Sequence, residues 1–132
     1  MIKIKNTELG KIPKIAIAVT DKGDNKTVKS LFVDILEIRV DQFKELGPKY
    51  INRIVANRKK IGVPLILTVR SKEEGGQKDT SDELKLNIFR ENISLVDAVD
   101  IELKSPILAD IVKLAKKNKK INGFLYSMAN RW

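Results

Sequence analysis

The 132 residues include no cysteine and no histidine. Without cysteine the chain forms no disulfide and offers no thiolate nucleophile, and its default compartment is the cytoplasm. Without histidine it lacks the commonest metal ligand and the commonest acid–base group. Ser-His-Asp and Cys-His nucleophilic sites are therefore excluded, and a zinc site would need carboxylates alone. We predict neither a metal nor a cofactor.

Aromatic residues and long apolar runs are also scarce. The chain has four phenylalanines, two tyrosines and one tryptophan. No apolar run approaches the roughly 20 residues of a membrane span, and the N-terminal residues lack the apolar core of a secretory signal. We therefore expect no membrane partner. A hydrophobic content of 42% and a charged content of 33% are typical of a globular chain, long enough for one domain over residues 1–132.

Positive charge is in excess, and the net charge is +9. Much of the excess is a run of lysines near the C-terminus: Lys113, Lys116, Lys117, Lys119 and Lys120. We favour a solvated helix end, where cations are stabilised by the helix dipole. A nucleic-acid patch is the alternative, but no aromatic residue interleaves with these lysines as a stacking platform requires, so we predict no nucleic-acid partner. The charge equally suits an anionic small substrate.

Residues 35–41 are the most informative stretch, because apolar and charged residues alternate there. The alternation places Glu37, Arg39 and Asp41 on one face of a strand and apolar residues on the other. Similar strands follow at intervals with helical patterns between them, which indicates a parallel sheet with both faces covered. Charges on such a strand lie inside the protein, where an unpaired charge costs several kcal/mol. We infer that they hold a polar ligand.

The rest of the chain follows the same strand–helix order. Residues 1–12 are interpreted as a polar leader with at most one short strand. We predict strands at residues 14–20, 33–40, 65–70, 97–103 and 122–127, with helices between them. Residues 71–79 are polar with paired glycines and are interpreted as a mobile lid. Thr80 and Glu83 have capping-box spacing and predict the start of the third helix.

Four strand–helix units and a fifth strand predict an α/β fold of the (β/α)₈ barrel type, of which only the first half is present. A complete barrel typically takes about 250 residues. An open doubly wound sheet is the alternative and suits the length better. No glycine-rich phosphate loop follows the first strand, so nucleotide binding is not favoured.

The inward positions at the carboxyl ends of these strands are the candidate site, because barrel enzymes carry their chemistry there. The inward polar residues are Glu37, Arg39, Asp41, Arg70, Asp100 and Glu102. Two arginines among carboxylates can leave a fork for a carboxylate ligand. An ion-paired layer without any ligand explains the same pattern equally well. Lys104 shares the parity of Asp100 and Glu102, but beside carboxylates it is expected to be an exposed ion-pairing lysine.

Three motifs in order carry a resemblance to a known family. They are Glu37-Ile-Arg39-Val-Asp41, Thr68-Val-Arg70-Ser-Lys-Glu-Glu74-Gly-Gly76 and Val99-Asp100-Ile-Glu102-Leu103. Each is weak alone, but together they resemble the type I 3-dehydroquinate dehydratases over about residues 13–117. The resemblance implies a cytoplasmic, usually homodimeric (β/α)₈ lyase of the shikimate pathway, which leads to aromatic amino acids. It acts without a metal and dehydrates 3-dehydroquinate to 3-dehydroshikimate through a Schiff base on a lysine.

The resemblance also implies roles for individual residues. Glu37 matches the carboxylate that orients the family's catalytic histidine, while Arg39 and Arg70 match substrate-binding arginines. Glu74 falls at the acidic position of the loop over the site, and Asp100 and Glu102 match inward polar groups of the fourth strand.

Departures from the family pattern are concentrated near the C-terminus. The stretch that corresponds to the family's histidine-bearing strand is Phe124-Leu-Tyr-Ser127, which has no histidine. The Schiff-base lysine belongs to a sixth strand that this chain does not reach. We therefore expect a truncated, frame-shifted or cut chain with negligible activity alone. The alternative is a non-catalytic half-barrel that binds a polyhydroxy carboxylate or pairs with a partner chain.

Overall fold

The structure, a computed structural model, describes residues 2–120. Its strands are β1 (Ile2–Ile4), β2 (Thr7–Leu9), β3 (Ala16–Val19), β4 (Ile35–Arg39), β5 (Leu65–Thr68) and β6 (Ala98–Asp100). Its helices are α1 (Asn25–Lys29), α2 (Pro48–Lys59), α3 (Asp82–Asn92) and α4 (Leu108–Lys117). Short 3₁₀ turns lie at Val40–Gln42, Lys72–Glu74 and Ile93–Leu95.

Strands β3 to β6 form one parallel sheet in the order β3-β4-β5-β6. Each strand therefore pairs with its neighbour in sequence through a helical crossover, as the spacing of the strand patterns predicts. The predicted parallel α/β architecture is confirmed. The predicted fifth strand at 122–127 lies outside the described residues.

Alternate residues along each strand point to opposite faces of this sheet. Leu36, Ile38, Leu67 and Val99 point outward, where they share a buried apolar core with helices α2, α3 and α4. The crossover helices supply the apolar side chains Ile51, Val55, Ile88, Phe89, Ile111 and Ala115 to that core. The opposite face is consequently left for the inward residues of the motifs.

The N-terminal residues correct the prediction of a polar leader with at most one strand. Strands β1 and β2 form an antiparallel hairpin, and Ile4 is fully buried. Ile4 clusters with Ile35, Ile66 and Ala98 on the inner face, and Leu9 packs against the group. Lysines alternate with isoleucines in this segment, so its polar composition concealed one apolar face.

The element boundaries differ from the predictions in two further ways. The strands are shorter than predicted, and Arg70 and Glu102 lie just past the ends of β5 and β6. Helix α3 is capped by Ser81, whose side chain accepts a hydrogen bond from the N–H of Leu84, and not by Thr80. Within residues 2–120, no helix has the length and apolar content needed to cross a membrane.

Candidate functional site

The candidate site lies at the carboxyl ends of β4, β5 and β6. Pairing in register places Arg39 beside Thr68, and Thr68 beside Asp100. Because alternate residues of a strand share a face, the inward series continues two residues further, to Arg70 and Glu102. The structure thus brings Glu37, Arg70, Asp100 and Glu102 together on the inner face, as the motifs predict.

Arg70 is the centre of this group. Its Nη2 lies 2.5 Å from Oδ2 of Asp100 and 4.0 Å from Oε2 of Glu37, while its Nη1 lies 3.9 Å from Oε1 of Glu102. Its side chain is 13% exposed. One guanidinium therefore lies among three carboxylates, and only Asp100 receives a short charge-assisted hydrogen bond from it.

Glu37 is the most accessible of the three carboxylates, with 27% of its side chain exposed. Its Oε2 accepts a hydrogen bond of 2.9 Å from the hydroxyl of Thr68 on the neighbouring strand. Thr68 itself is fully buried. The bond fixes the orientation of a carboxylate that still reaches solvent, which suits a group that contacts a ligand or orients another side chain.

Asp100 differs from its neighbours in its proton affinity. Burial raises the pKa of Asp100 to about 6, with Arg70 acting in the opposite direction and Glu37 and Glu102 adding to the rise. Its Oδ1 and the Nη1 of Arg70 are both buried and form no hydrogen bond within the described part of the chain. Such unpaired groups are costly, and they suit a site that hydrogen-bonds a polar ligand.

Glu102 is held by groups other than Arg70. Its Oε1 accepts the N–H of Ser71 at 2.7 Å, and its Oε2 accepts from Nζ of Lys85 at 3.2 Å. Burial alone would raise the pKa of Glu102, but the N–H of Ser71 and the charge of Lys85 outweigh it, so the pKa lies below its usual value. Glu102 is therefore a fixed anion.

Arg39 and Asp41 form a pair beside the central group. Nε and Nη2 of Arg39 donate to the two carboxylate oxygens of Asp41 at 2.9 and 2.8 Å. Asp41 is fully buried and also accepts the N–H groups of Arg70 and Gln77. Burial favours a higher pKa for Asp41, yet these bonds and the charge of Arg39 hold it below its usual value. Asp41 thus anchors the following loop instead of facing a ligand.

The loop after β5, predicted to be a lid, is folded back on the strand end. Gly75 has φ +93° and closes the 3₁₀ turn, a conformation that favours glycine. The N–H of Gly76 donates a hydrogen bond to the carbonyl of Ser71, and a Cβ at Gly76 would overlap the carbonyl oxygen of Arg70. The loop is therefore tied at both Gly76 and Gln77, and its mobility stays a prediction.

A pocket of about 540 Å³ lies between this loop and the segment after β6. Glu74, Glu102 and Lys104 are among its lining residues. Lys104 is exposed and Glu74 is half-buried. Lys104 therefore lies at the rim of the site and not among the central carboxylates.

Lys85, Thr68 and Ser71 were missed as site residues by the sequence reasoning. Thr68 shares the strand parity of Arg70, which is a usable signal. Lys85 stands at helical spacing with Ile88, Phe89 and Asn92, all buried on α3. A lysine in the apolar series of a crossover helix predicts a buried acidic partner on the sheet, and here the partner is Glu102.

Comparison with known proteins identifies relatives of this chain. The sequence model of the type I 3-dehydroquinase family matches residues 21–124. The 3-dehydroquinate dehydratase of Hydrogenobaculum sp. is 39% identical over 111 residues, covering 82% of this chain and 50% of that protein. That of Clostridium botulinum is 34% identical over 134 residues, covering 89% and 52%.

Solved structures give the same result. The crystal structure of the 3-dehydroquinate dehydratase from Aquifex aeolicus superposes with a TM-score of 0.73 at 32% identity. The match covers 83% of this chain and 51% of that one. The chain spans about half the length of the curated relatives it matches.

Proposed function

The chain belongs to the type I 3-dehydroquinase family, and from that membership we propose that it is the N-terminal half of a (β/α)₈ barrel whose inner face binds 3-dehydroquinate. The complete enzyme would dehydrate this compound to 3-dehydroshikimate in the cytoplasmic shikimate pathway. The parallel order of β3 to β6 supports the barrel, since eight such units close into one.

The arrangement around Arg70 is the observation that carries the proposal. A hydroxylated carboxylate such as 3-dehydroquinate presents oxygens that accept from a guanidinium and hydroxyl groups that donate to carboxylates. Arg70 Nη1 and Asp100 Oδ1 are buried and lack hydrogen bonds within residues 2–120, so they are the two atoms that would receive these groups. Glu37 would orient the family's histidine, and Arg39 would contact a substrate hydroxyl.

The Schiff-base chemistry needs groups that these 132 residues do not supply. In the proposed reaction a lysine amine condenses with the ring ketone to form an imine and releases water, and a histidine removes the adjacent proton. The hydroxyl takes that proton and departs as water, and a further water molecule hydrolyses the imine, which frees the product and the lysine. No histidine is present in the sequence, and Lys104 is exposed in the pocket lining instead of lying among the central carboxylates. We therefore expect negligible dehydratase activity from this chain alone.

Two measurements test the proposal. Calorimetry with 3-dehydroquinate should detect binding that Arg70→Gln removes, whereas Arg90→Gln, the same change on an exposed position of α3, leaves it intact. Borohydride treatment in the presence of 3-dehydroquinate, followed by intact mass, should show no covalent adduct. Equal binding by both variants would refute the site, and an adduct would refute the expected inactivity.

A second candidate is a half-barrel that pairs with a partner chain. Within residues 2–120, β3 pairs with β4 alone, so its other edge is open. Four large apolar residues of the first third of the chain are exposed, namely Ile12, Ile15, Leu31 and Phe32, with Phe32 exposed to 88%. Size-exclusion with light scattering tests this second candidate, because a well-folded monomer contradicts pairing.

A further inference from the structure

Lys85 is a buried cation that family-motif reasoning leaves without a role. Only 2% of its side chain is exposed, and it lies on the same buried face of α3 as Ile88 and Phe89. Its Nζ donates to Oγ of Ser71 and to Oε2 of Glu102, the latter at 3.2 Å. Burial of a lysine is strongly unfavourable unless it is paired, so this pairing determines the position of the side chain.

Glu102 is positioned to compete with a ligand for hydrogen bonds from Arg70. Its Oε1 lies 3.9 Å from Nη1 of Arg70, which is too far for a hydrogen bond. A shift of about 1 Å would make that contact a direct charge-assisted bond. What opposes the shift is the pair of existing bonds, from the N–H of Ser71 to Oε1 and from Lys85 to Oε2.

We propose that Lys85 is a positioning residue, which holds Glu102 away from Arg70 and so keeps Nη1 of Arg70 available to the ligand. The inference rests on the proposed function, because it takes the ligand to be a hydroxylated carboxylate bound by Arg70. Lys85 acts through two contacts at once. It neutralises Glu102, and it fixes Ser71, the residue that follows Arg70.

Removal of Lys85 has a specific consequence in this arrangement. Glu102 loses its cation, and Arg70 becomes the nearest positive charge to it. Arg70 Nη1 would then turn to Glu102, and a ligand would have to displace that contact before binding. If the negative charge of Glu102 is removed together with Lys85, Glu102 no longer competes for Arg70. The effects of the two substitutions on ligand binding should therefore largely cancel.

The experiment compares Lys85→Met with the double variant Lys85→Met/Glu102→Gln. Calorimetry with 3-dehydroquinate should show roughly ten-fold weaker binding by the single variant and recovery to within about three-fold in the double variant. The double variant leaves no unpaired buried charge, so it is informative even where the single variant fails to fold. A purely structural role predicts no recovery, and equally weak binding by both variants overturns the proposal.

A ligand-free measurement separates this proposal from the proposed function. The guanidinium N–H signals of Arg70, followed by NMR in the parent and in Lys85→Met, should shift as a direct bond to Glu102 forms. Should the parent fail to bind 3-dehydroquinate while the signals shift, the proposed function is wrong and the positioning role of Lys85 stands. Unchanged signals in a folded Lys85→Met protein overturn the positioning role whatever the ligand does.

Discussion

The two ends of the inner face of the sheet are built from the same strands but differ completely in chemistry. At the amino ends, a buried apolar cluster packs against Ile4 of the hairpin and consists of Ile35, Ile66 and Ala98. Two to four residues further along, at or just past the ends of the same strands, lie Glu37, Arg70, Asp100 and Glu102. The amino end of this face is therefore an apolar packing layer, and the carboxyl end is where we propose that a ligand binds. Substitutions at the two ends should differ in size, in pH dependence and in their effect on ligand binding.

The largest effect should follow from a charge placed at the apolar end. We expect Ile66→Asp to lower the free energy of unfolding by about 4 kcal/mol or more, because the carboxylate would be buried in a cluster whose described members are all apolar. Urea unfolding followed by circular dichroism measures this change. Ile66→Leu keeps the apolar volume and is the control. A stable Ile66→Asp protein would show that the two ends do not differ in this way.

The next effect tests whether the hairpin belongs to the apolar end. Ile4→Ala should cost about 2–4 kcal/mol, since a fully buried side chain leaves a cavity against Ile35 and Ala98. Lys3→Ala in the same strand, where the side chain is 60% exposed in an ion pair with Glu8, should change stability by less than about 0.5 kcal/mol. The same urea titration compares the two variants. Equal losses would exclude a packing role for the hairpin.

The polar end should differ from the apolar end in its response to pH. The pKa of Asp100 is raised to about 6, whereas in the unfolded chain it lies near 4. The folded protein binds this proton more tightly, so its stability should fall as pH rises from about 4 to about 6. Asp100→Asn should lack that fall, which is on the order of 3 kcal/mol.

The measurement is the difference between the parent and Asp100→Asn in urea unfolding at several pH values. A difference is required because Asp41 and Glu102 have lowered pKa values and act in the opposite sense, losing their stabilisation as pH falls. A difference that does not vary between pH 4 and 6 would contradict the raised pKa of Asp100.

The smallest effect concerns the boundary between the two ends. Thr68→Val removes the hydroxyl that donates to Glu37 and extends the apolar layer by one position. We expect a loss of about 1 kcal/mol in stability, because Glu37 is partly exposed and regains water as a partner. Ligand binding should weaken more than stability does, since Glu37 loses its fixed orientation. The reverse order would place Thr68 with the apolar end.

The convergence of Glu37, Arg70, Asp100 and Glu102 was predictable because strand alternation has a period of two and parallel neighbours end together. The same rule extended past the strand ends, where Arg70 and Glu102 keep the inward parity although neither belongs to a strand. Asp41 does not follow it, because a 3₁₀ turn begins at Val40 and rotates the side chain toward Arg39 and the loop. Turns of this kind have no periodic signal.

Other features depend on contacts between distant segments. The hairpin is stabilised by burial of Ile4 against Ile35, Ile66 and Ala98 on three later strands, so its own composition predicted a polar leader. Thr80 and Ser81 are equivalent cap residues by type, and the backbone geometry at Ser81 decides between them. Lys85 was not predicted as a site residue, because that prediction requires knowing which face of α3 meets the carboxyl end of β6.

Gly76 has a consequence for how the loop over the site tolerates genetic change. Its α-carbon lies so close to the carbonyl of Arg70 that alanine already overlaps the backbone. Gly75 needs only a left-handed backbone, which asparagine also adopts at modest strain. The two adjacent codons are thus unequal. Random replacement at position 75 perturbs a turn, whereas replacement at position 76 displaces the peptide from the backbone of Arg70.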